Sequence, residues 1–599
     1  MVTARTLPAL FFEQAARRGE AVALRHKVHG LWRRVSWSEY ALQVRRVAAA
    51  LGAFGLRRQD KVAILGENRP EWVYCQLGAM AAGGVVSGIY ATSSPPQITY
   101  VLRHSEARVL FLDNEEQLEK VLPVLGDTAV ERVVVWDPKG LWGFADARTS
   151  LFDDFLREGA DALATETRRV EEAVSGIDPA DPAMIIYTSG TTGPPKGAML
   201  GHDNILFMAE ALQRYNPARP DDDAVSYLPF AHVYENLISV FQAIKAGYVV
   251  NFVESLETLF ANVREVSPTI LAGVPRVWEK LASTVELRMQ DSTWLKRCAY
   301  GWAIGVGRRH ARARRTGPGP GPRLRLVHAL AQVAALLPLR HRLGLERVRI
   351  ALCGAAPASP ELFEYFHALG VPLVEGYGQT ESAGVISVSR FERARMGTVG
   401  EPLEGTEVRI ADDGEILTRG PHVFKGYFKD PALTAQTIDG AGWLHTGDVG
   451  AVEDGYLRIL DRKKDIIITA GGKNVTPSNI ENELKFSPYI QDAVVVGDRR
   501  KFLVALILID EDNVVKFAQD HRVSFSTFAD LTRCHEVERL IHREVDRVNR
   551  KLSSVESIKR FALLPRRFYE EDGDVTPTKK VKRRALEQRY RDLIETLYE

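Results

Sequence analysis

What most restricts the fold of this 599-residue chain is an alternation in its first half between short, nearly all-apolar runs and segments of helical period. The runs "KVAILGEN", "VVSGIYA", "ARVLFLD", "ERVVVWD" and "AMIIYTSG" lack the in-and-out pattern of a sheet with one wet face. They predict parallel strands covered on both sides. Upstream, "SWSEYALQVRRVAAALGAFG" predicts a helix: Ser36 and Glu39 have capping-box spacing, and Tyr40, Val44, Val47 and Leu51 fall on one face. An α/β architecture follows. A chain this long outgrows one core, so two or more domains are expected.

A formal net charge of +1 argues against a protein whose main partner is nucleic acid. Cys75, Cys298, Cys353 and Cys534 lie far apart with no metal-ligand spacing. They are most simply buried thiols in a reducing, cytoplasmic compartment. The N-terminal apolar patch runs into charged, helix-like sequence, so no signal peptide is expected. The longest apolar run, "LVHALAQVAALLPL", is broken by His328, Gln332 and Pro338 and is too short to span a bilayer.

From Arg308 the sequence "RRHARARRTGPGPGPRLRL" gathers arginines and then alternates Gly with Pro, which reads as a flexible excursion. With its apolar flanks it makes residues 289–342 a basic insertion. Apolar contact plus clustered cations suits peripheral contact with an anionic membrane face, and a solvated basic loop fits the same composition. The polar "DRKKD" marks a boundary, dividing residues 1–460 from 461–599. In the second part "DIIIT", "DAVVVG", "FLVALILI" and "KRFALLP" predict strands, with a helix from about Ser478.

The stretch "YTSGTTGPPKGAML" crowds three glycines and four hydroxyl side chains around Lys196. Open backbone N–H groups and hydroxyl donors suit an anion with several oxygens. The P-loop pattern fails, because Lys196 lies between Pro195 and Gly197. A Gly/Pro surface turn after a strand has the same composition. Further along stand "LPFAHVYEN", "GAAPASPELFEYF", "EGYGQTES", "WLHTGDVG", "DRKKD" and "TPTKKVKRR". In this order the set resembles the ANL superfamily of adenylate-forming enzymes over essentially the whole chain. "SYLPFAHVYENL", "GVPRVWEKL" and "VEGYGQTES" further resemble its long-chain acyl-CoA synthetases.

The resemblance implies a large N-terminal adenylation domain of mixed, largely parallel sheets and helices, followed by a smaller mobile α+β domain. It implies ATP, CoA and a fatty acid as substrates and Mg²⁺ as cofactor. Thr188, Ser189, Gly190, Thr191, Thr192, Gly193 and Lys196 would hold the β- and γ-phosphates of ATP. Gly354, Ala355 and Ala356 would lie against adenine, with Tyr377 stacked on it and Gly378 and Gln379 beside it. Thr380 would meet the α-phosphate and Glu381 the metal, a hard cation suited to carboxylate oxygen. Asp448 and Arg462 would hold the ribose.

Lys580 would face the reacting carboxylate and phosphorus. The motif departs there from the commoner Ser-Gly-Lys ending, so Lys579 competes for the role. His232 would border the acyl pocket, Lys464 would be the hinge, and Gly471 would line the CoA tunnel. An acyl-AMP ligase that loads a carrier protein would share every one of these motifs. An amino-acid-activating enzyme fits less well, because "PFAHVYEN" lacks the acidic residue placed after the aromatic to hold an amine.

Overall fold

A computed structural model describes residues 4–166, 168–188, 194–316, 319–569, 572–576 and 580–599. All five apolar runs become strands of one sheet. Its order in space is Thr149–Leu151, Arg132–Val135, Ala107–Leu112, Lys61–Gly66, Val85–Tyr90, Pro182–Thr188 and Lys196–Gly201. Every neighbouring pair is parallel except the last. Only seven residues separate Thr188 from Lys196. A parallel return needs a crossover of a dozen or so, which forces the chain straight back as a hairpin. The helix is Trp37–Phe54; Ser36 Oγ accepts from the Glu39 N–H at 3.1 Å, and Tyr40, Val44, Val47 and Leu51 are buried.

A second large sheet runs, in space, Glu401–Pro402, Ser387–Val388, Leu373–Tyr377, Ile350–Cys353, Ile270–Gly273, Asp223–Ser226, Val249–Phe252, Val22–Val28 and Leu31–Ser36. Its interior pairs are parallel and its margins antiparallel. A four-stranded antiparallel sheet from Glu407 to Arg462 follows.

Beyond it, residues between Ile467 and Ile558 assemble a separate core around the strands Ile490–Val496, Leu503–Ile509 and Ile558–Leu563 and the helix Pro477–Lys485. "DIIIT" yields only the two-residue strand Ile467–Ile468. The chain turns back at once, with Thr469 N–H donating to the Lys473 carbonyl and Gly472 at φ +72°.

This second unit lies against the helix Pro275–Gln290 and its surroundings through charged contacts. Lys280 meets Asp510 and Asp512, Lys516 meets Asp291 at 2.9 Å, and Lys551, which also pairs with Glu483 of its own unit (2.7 Å), reaches across to Glu361 at 2.6 Å. Phe486 packs beside the core of the larger unit.

Two expectations fail. The arginine-rich segment is not a flexible excursion: the helix Trp294–Thr316 runs through Arg308, Arg309, Arg312, Arg314 and Arg315, and Pro322–Ala331 begins the returning arm. Arginine favours helix, and the inner face of Ala303, Ile304 and Val306 is buried against the neighbouring core. Nor are all the thiols buried. Cys75 and Cys353 are, but Cys298 is exposed on the outer face of that helix and Cys534 is half-buried. No described helix is long and apolar enough to cross a membrane.

Candidate active site

In sheets of parallel strands, ligands bind beyond the carboxyl ends. The candidate residues stand there. Thr188 ends one strand, Gly354, Ala355 and Ala356 follow Ile350–Cys353, and Tyr377 closes Leu373–Tyr377 with Gly378, Gln379, Thr380 and Glu381 next. Ser189, Gly190, Thr191, Thr192, Gly193 and Lys579 lie outside the described residues.

The turn after Tyr377 is tightly specified. Gln379 N–H donates to Ser382 Oγ at 3.0 Å, and Thr380 is buried. A Cβ on Gly378 would lie 2.3 Å from the Gly384 carbonyl oxygen, so backbone approach demands glycine. Gly354 is less constrained, its would-be Cβ 3.3 Å from the Gly376 carbonyl oxygen, while Ala355 adopts φ +69°.

The antiparallel sheet supplies the facing wall. Asp448 and Arg462 are register partners on adjacent strands, and Arg462 Nε lies 2.8 Å from Asp448 Oδ1. The other carboxylate oxygen accepts from Tyr377 O–H at 2.6 Å. Burial pushes the Asp448 carboxyl upward, while Arg462, Tyr377 and Lys580 pull it back.

Glu381 Oε1 accepts from Tyr427 O–H at 2.7 Å, and Lys196 Nζ lies 5.5 Å from the centre of that same ring. Tyr427 was not foreseen from sequence. The segment around it pairs with the strand Lys196–Gly201, as Met199 N–H donates to Gly426 O and Phe428 N–H to Gly197 O. The aromatic-glycine-aromatic "FKGYF" was the available signal. Among the described residues no three His, Cys, Asp or Glu side chains gather as a metal cage. A lone carboxylate matches a magnesium ion that takes most of its ligands from substrate phosphates and water.

Lys580 enters from the second unit. Its N–H donates to Thr576 Oγ1 (3.1 Å) and its carbonyl accepts from the Thr576 N–H (2.8 Å). Thr576 in turn follows buried Asp574, which pairs with Arg566 and Arg589. The Lys580 ammonium is surrounded by protein in the cleft yet keeps access to solvent. Desolvation and the charge of Arg462 lower its pKa to about 8, against the opposing pull of Asp448 and Glu381.

His232 shares this surrounding. Its Nδ1 accepts from the Tyr234 N–H at 3.1 Å, and burial, helped by the charge of Lys580, lowers it to about 3. Burial thus favours its neutral form. Lys464 follows Arg462 in the connection between the units, where burial and then Arg462 lower its pKa, with Lys196 among the nearby cations. Gly471 is not gathered here: it lies on the exposed tip of the Ile467–Val475 hairpin, beside Ala470, whose N–H donates to Arg500 O.

Glu235, in the same "HVYEN" segment, is 3% exposed and commits both oxygens internally, to Ser239 Oγ and to the Leu228 N–H. It therefore offers nothing to a substrate amine. Desolvation raises it from 4.5 to about 7. The fold thus favours the protonated carboxyl, a contribution present below about pH 4.5 and lost as pH rises through about 7. The shift corresponds to about 3 kcal/mol. Glu235→Gln should accordingly flatten the fall of the melting midpoint between about pH 5 and about pH 8. An identical fall in mutant and wild type would show the carboxyl ionised at no cost.

A family model described as AMP-binding enzyme matches residues 11–428, and a second, AMP-binding enzyme C-terminal domain, matches 464–599. The chain belongs to the AMP-binding enzyme family. Among curated relatives, a protein of Mycobacterium tuberculosis named long-chain-fatty-acid–CoA ligase is 34% identical, covering 98% of this chain and 96% of its own. One of Mus musculus with the same designation is 33% identical, covering 99% and 86%.

Solved structures carry the fold of this AMP-binding enzyme. The adenylation domain of a carboxylate reductase from Mycobacterium chelonae matches with TM-score 0.76 and 23% identity, covering 99% of this chain and 91% of that one. An anthranilate–CoA ligase in complex with anthranoyl-AMP matches with TM-score 0.72 and 19% identity, covering 98% and 97%.

Proposed function

We propose that this AMP-binding enzyme is a long-chain fatty acid–CoA ligase. The observation that carries the reading is the convergence of Lys580, from one unit, on Asp448, Arg462 and Glu381, from the other. In the first half-reaction the fatty carboxylate attacks the α-phosphorus of ATP, giving acyl-AMP and pyrophosphate. Thr188 and Lys196 flank the loop that would hold the leaving phosphates, and Lys580 would offset charge on the phosphorus oxygens. Asp448 and Arg462 would orient the ribose, and the Tyr377 ring beside them would support adenine. Bound Mg²⁺, held by Glu381, would neutralise phosphate charge.

In the second half-reaction the CoA thiolate displaces AMP, after the small unit has turned about Lys464 to withdraw Lys580. Gly471, exposed in the present arrangement, would then be free to reach the cleft. Because the strand Tyr456–Arg462 belongs to the larger unit's sheet, a turn about Lys464 would put the boundary just after Arg462, slightly beyond the expected residue 461.

The relatives' names support the long acyl chain and CoA. A long-chain acid partitions into bilayers, so a cytoplasmic enzyme with access to the inner membrane face fits its substrate. The test measures pyrophosphate release over saturated acids from short to very long, with CoA or a carrier protein as acceptor. Thioester should form with long-chain acids and CoA. Turnover only with the carrier protein would overturn the ligase reading in favour of a carrier-loading enzyme.

A further inference from the structure

Between Ser292 and Leu345 the chain has eleven Lys and Arg and no Asp or Glu, whereas the whole chain carries +1. This stretch folds as two helical arms, Trp294–Thr316 and a return beginning at Pro322. The first arm is seated firmly. A Cβ on Gly307 would meet the Ala368 carbonyl oxygen at 2.1 Å, and Tyr300 O–H donates to Tyr365 Oη at 3.3 Å. The arms are joined by stacked His310 and His328 rings, 3.7 Å between centres.

Their outward side breaks the usual rule of apolar residues inside. On the returning arm Leu326, Leu330, Val333 and Leu337 recur at i, i+4, i+7 and i+11, the spacing of a core-facing stripe. All four face solvent, Leu326 at 65% exposure and Val333 at 75%. Trp294, Leu295 and Trp302 are exposed on the first arm. Exposed Arg308, Arg309, Arg323 and Arg325 stand among them.

We propose that this helical hairpin is a docking surface for an anionic lipid bilayer. The inference is independent of which acid the enzyme activates. Charge and polarity select the occupant together. A second copy would bring another eleven cations against the first and is repelled. A nucleic acid would use the arginines but leave the apolar stripe wet. A bilayer with anionic headgroups satisfies both: arginines at the phosphate level, with the leucines and tryptophans entering the headgroup–acyl boundary.

The experiment sediments the full-length protein with phosphatidylcholine vesicles, with or without phosphatidylglycerol, at low salt and at about 1 M salt, where the Debye length is roughly 3 Å. Two variants accompany it: Arg309→Gln with Arg323→Gln and Arg325→Gln, and Leu326→Gln with Leu330→Gln and Val333→Gln. Glutamine is a good helix former, so both keep the arm helical, which circular dichroism checks.

Wild type should bind the anionic vesicles at low salt. The arginine variant should lose roughly a hundredfold in partition. The apolar variant should retain only a weak, salt-labile attraction. Both should form acyl-AMP from a long-chain acid presented in detergent micelles like wild type. Wild type remaining in the supernatant at low salt, or all three proteins pelleting equally, overturns the proposal. So does a dimer seen by light scattering that the apolar variant abolishes, or duplex DNA binding that vesicles fail to displace.

Discussion

Lys580→Ala should form acyl-AMP about 10²–10³-fold more slowly, the usual loss when one preorganised charge or donor is removed from a developing oxyanion. Supplied acyl-AMP should still be converted with CoA at a rate near wild type, since on the proposed reading the ammonium would face the phosphorus only while the small unit is docked. The two half-reactions are separable: pyrophosphate release reports the first, and thioester formation from synthetic acyl-AMP the second. The geometry behind the expectation is the pair of hydrogen bonds that tie Lys580 to Thr576, two residues after buried Asp574. Lys579→Ala serves as control. Inactivity of Lys579→Ala beside an active Lys580→Ala would exchange the two roles, and equal loss in both half-reactions would make Lys580 structural.

Glu381→Gln should raise the Mg²⁺ concentration that half-saturates pyrophosphate release by at least about tenfold, because a neutral amide is a poorer ligand for a hard cation than a carboxylate. Glutamine keeps the shape and can still accept from Tyr427 O–H, whose bond to Glu381 is 2.7 Å. The substitution therefore removes charge with little change in packing. Measuring ATP binding without metal gives the second readout. It should be unchanged or tighter, since a negative charge near the phosphates is gone. An unaltered Mg²⁺ dependence would mean that Glu381 serves only to hold Tyr427.

The parallel strands were legible because burial on both faces leaves a sequence signature in each strand alone: Val62, Ala63, Ile64 and Leu65 are apolar in succession and all buried. Tyr377, Asp448 and Lys580 were legible for another reason, as members of short motifs whose order matched a known family. What a linear reading lacked was partnership. Nothing in "TGD" reveals that Asp448 accepts from Tyr377, 71 residues earlier in the chain. Tyr427 became visible only when the strand after the glycine-rich loop paired with residues more than two hundred positions away. The arginine-rich segment misled for a physical reason: charge density and Gly-Pro alternation describe its surface and its turn, whereas its helices depend on Ala303, Ile304 and Val306 meeting a core formed elsewhere.

The contacts between the two units deserve a mechanical reading. Lys280, Lys516 and Lys551 carry much of the seam, and each of their carboxylate partners across it except Asp510 is at least one-third exposed. Ion pairs in water are worth about 0–1 kcal/mol each, and both partners regain hydration when they part. A seam of leucines would have to be torn open against the cohesion of water at every catalytic cycle. If the small unit turns as proposed, these ion pairs would let it hold Lys580 in register and still release by thermal motion, and the grip should slacken as ionic strength rises.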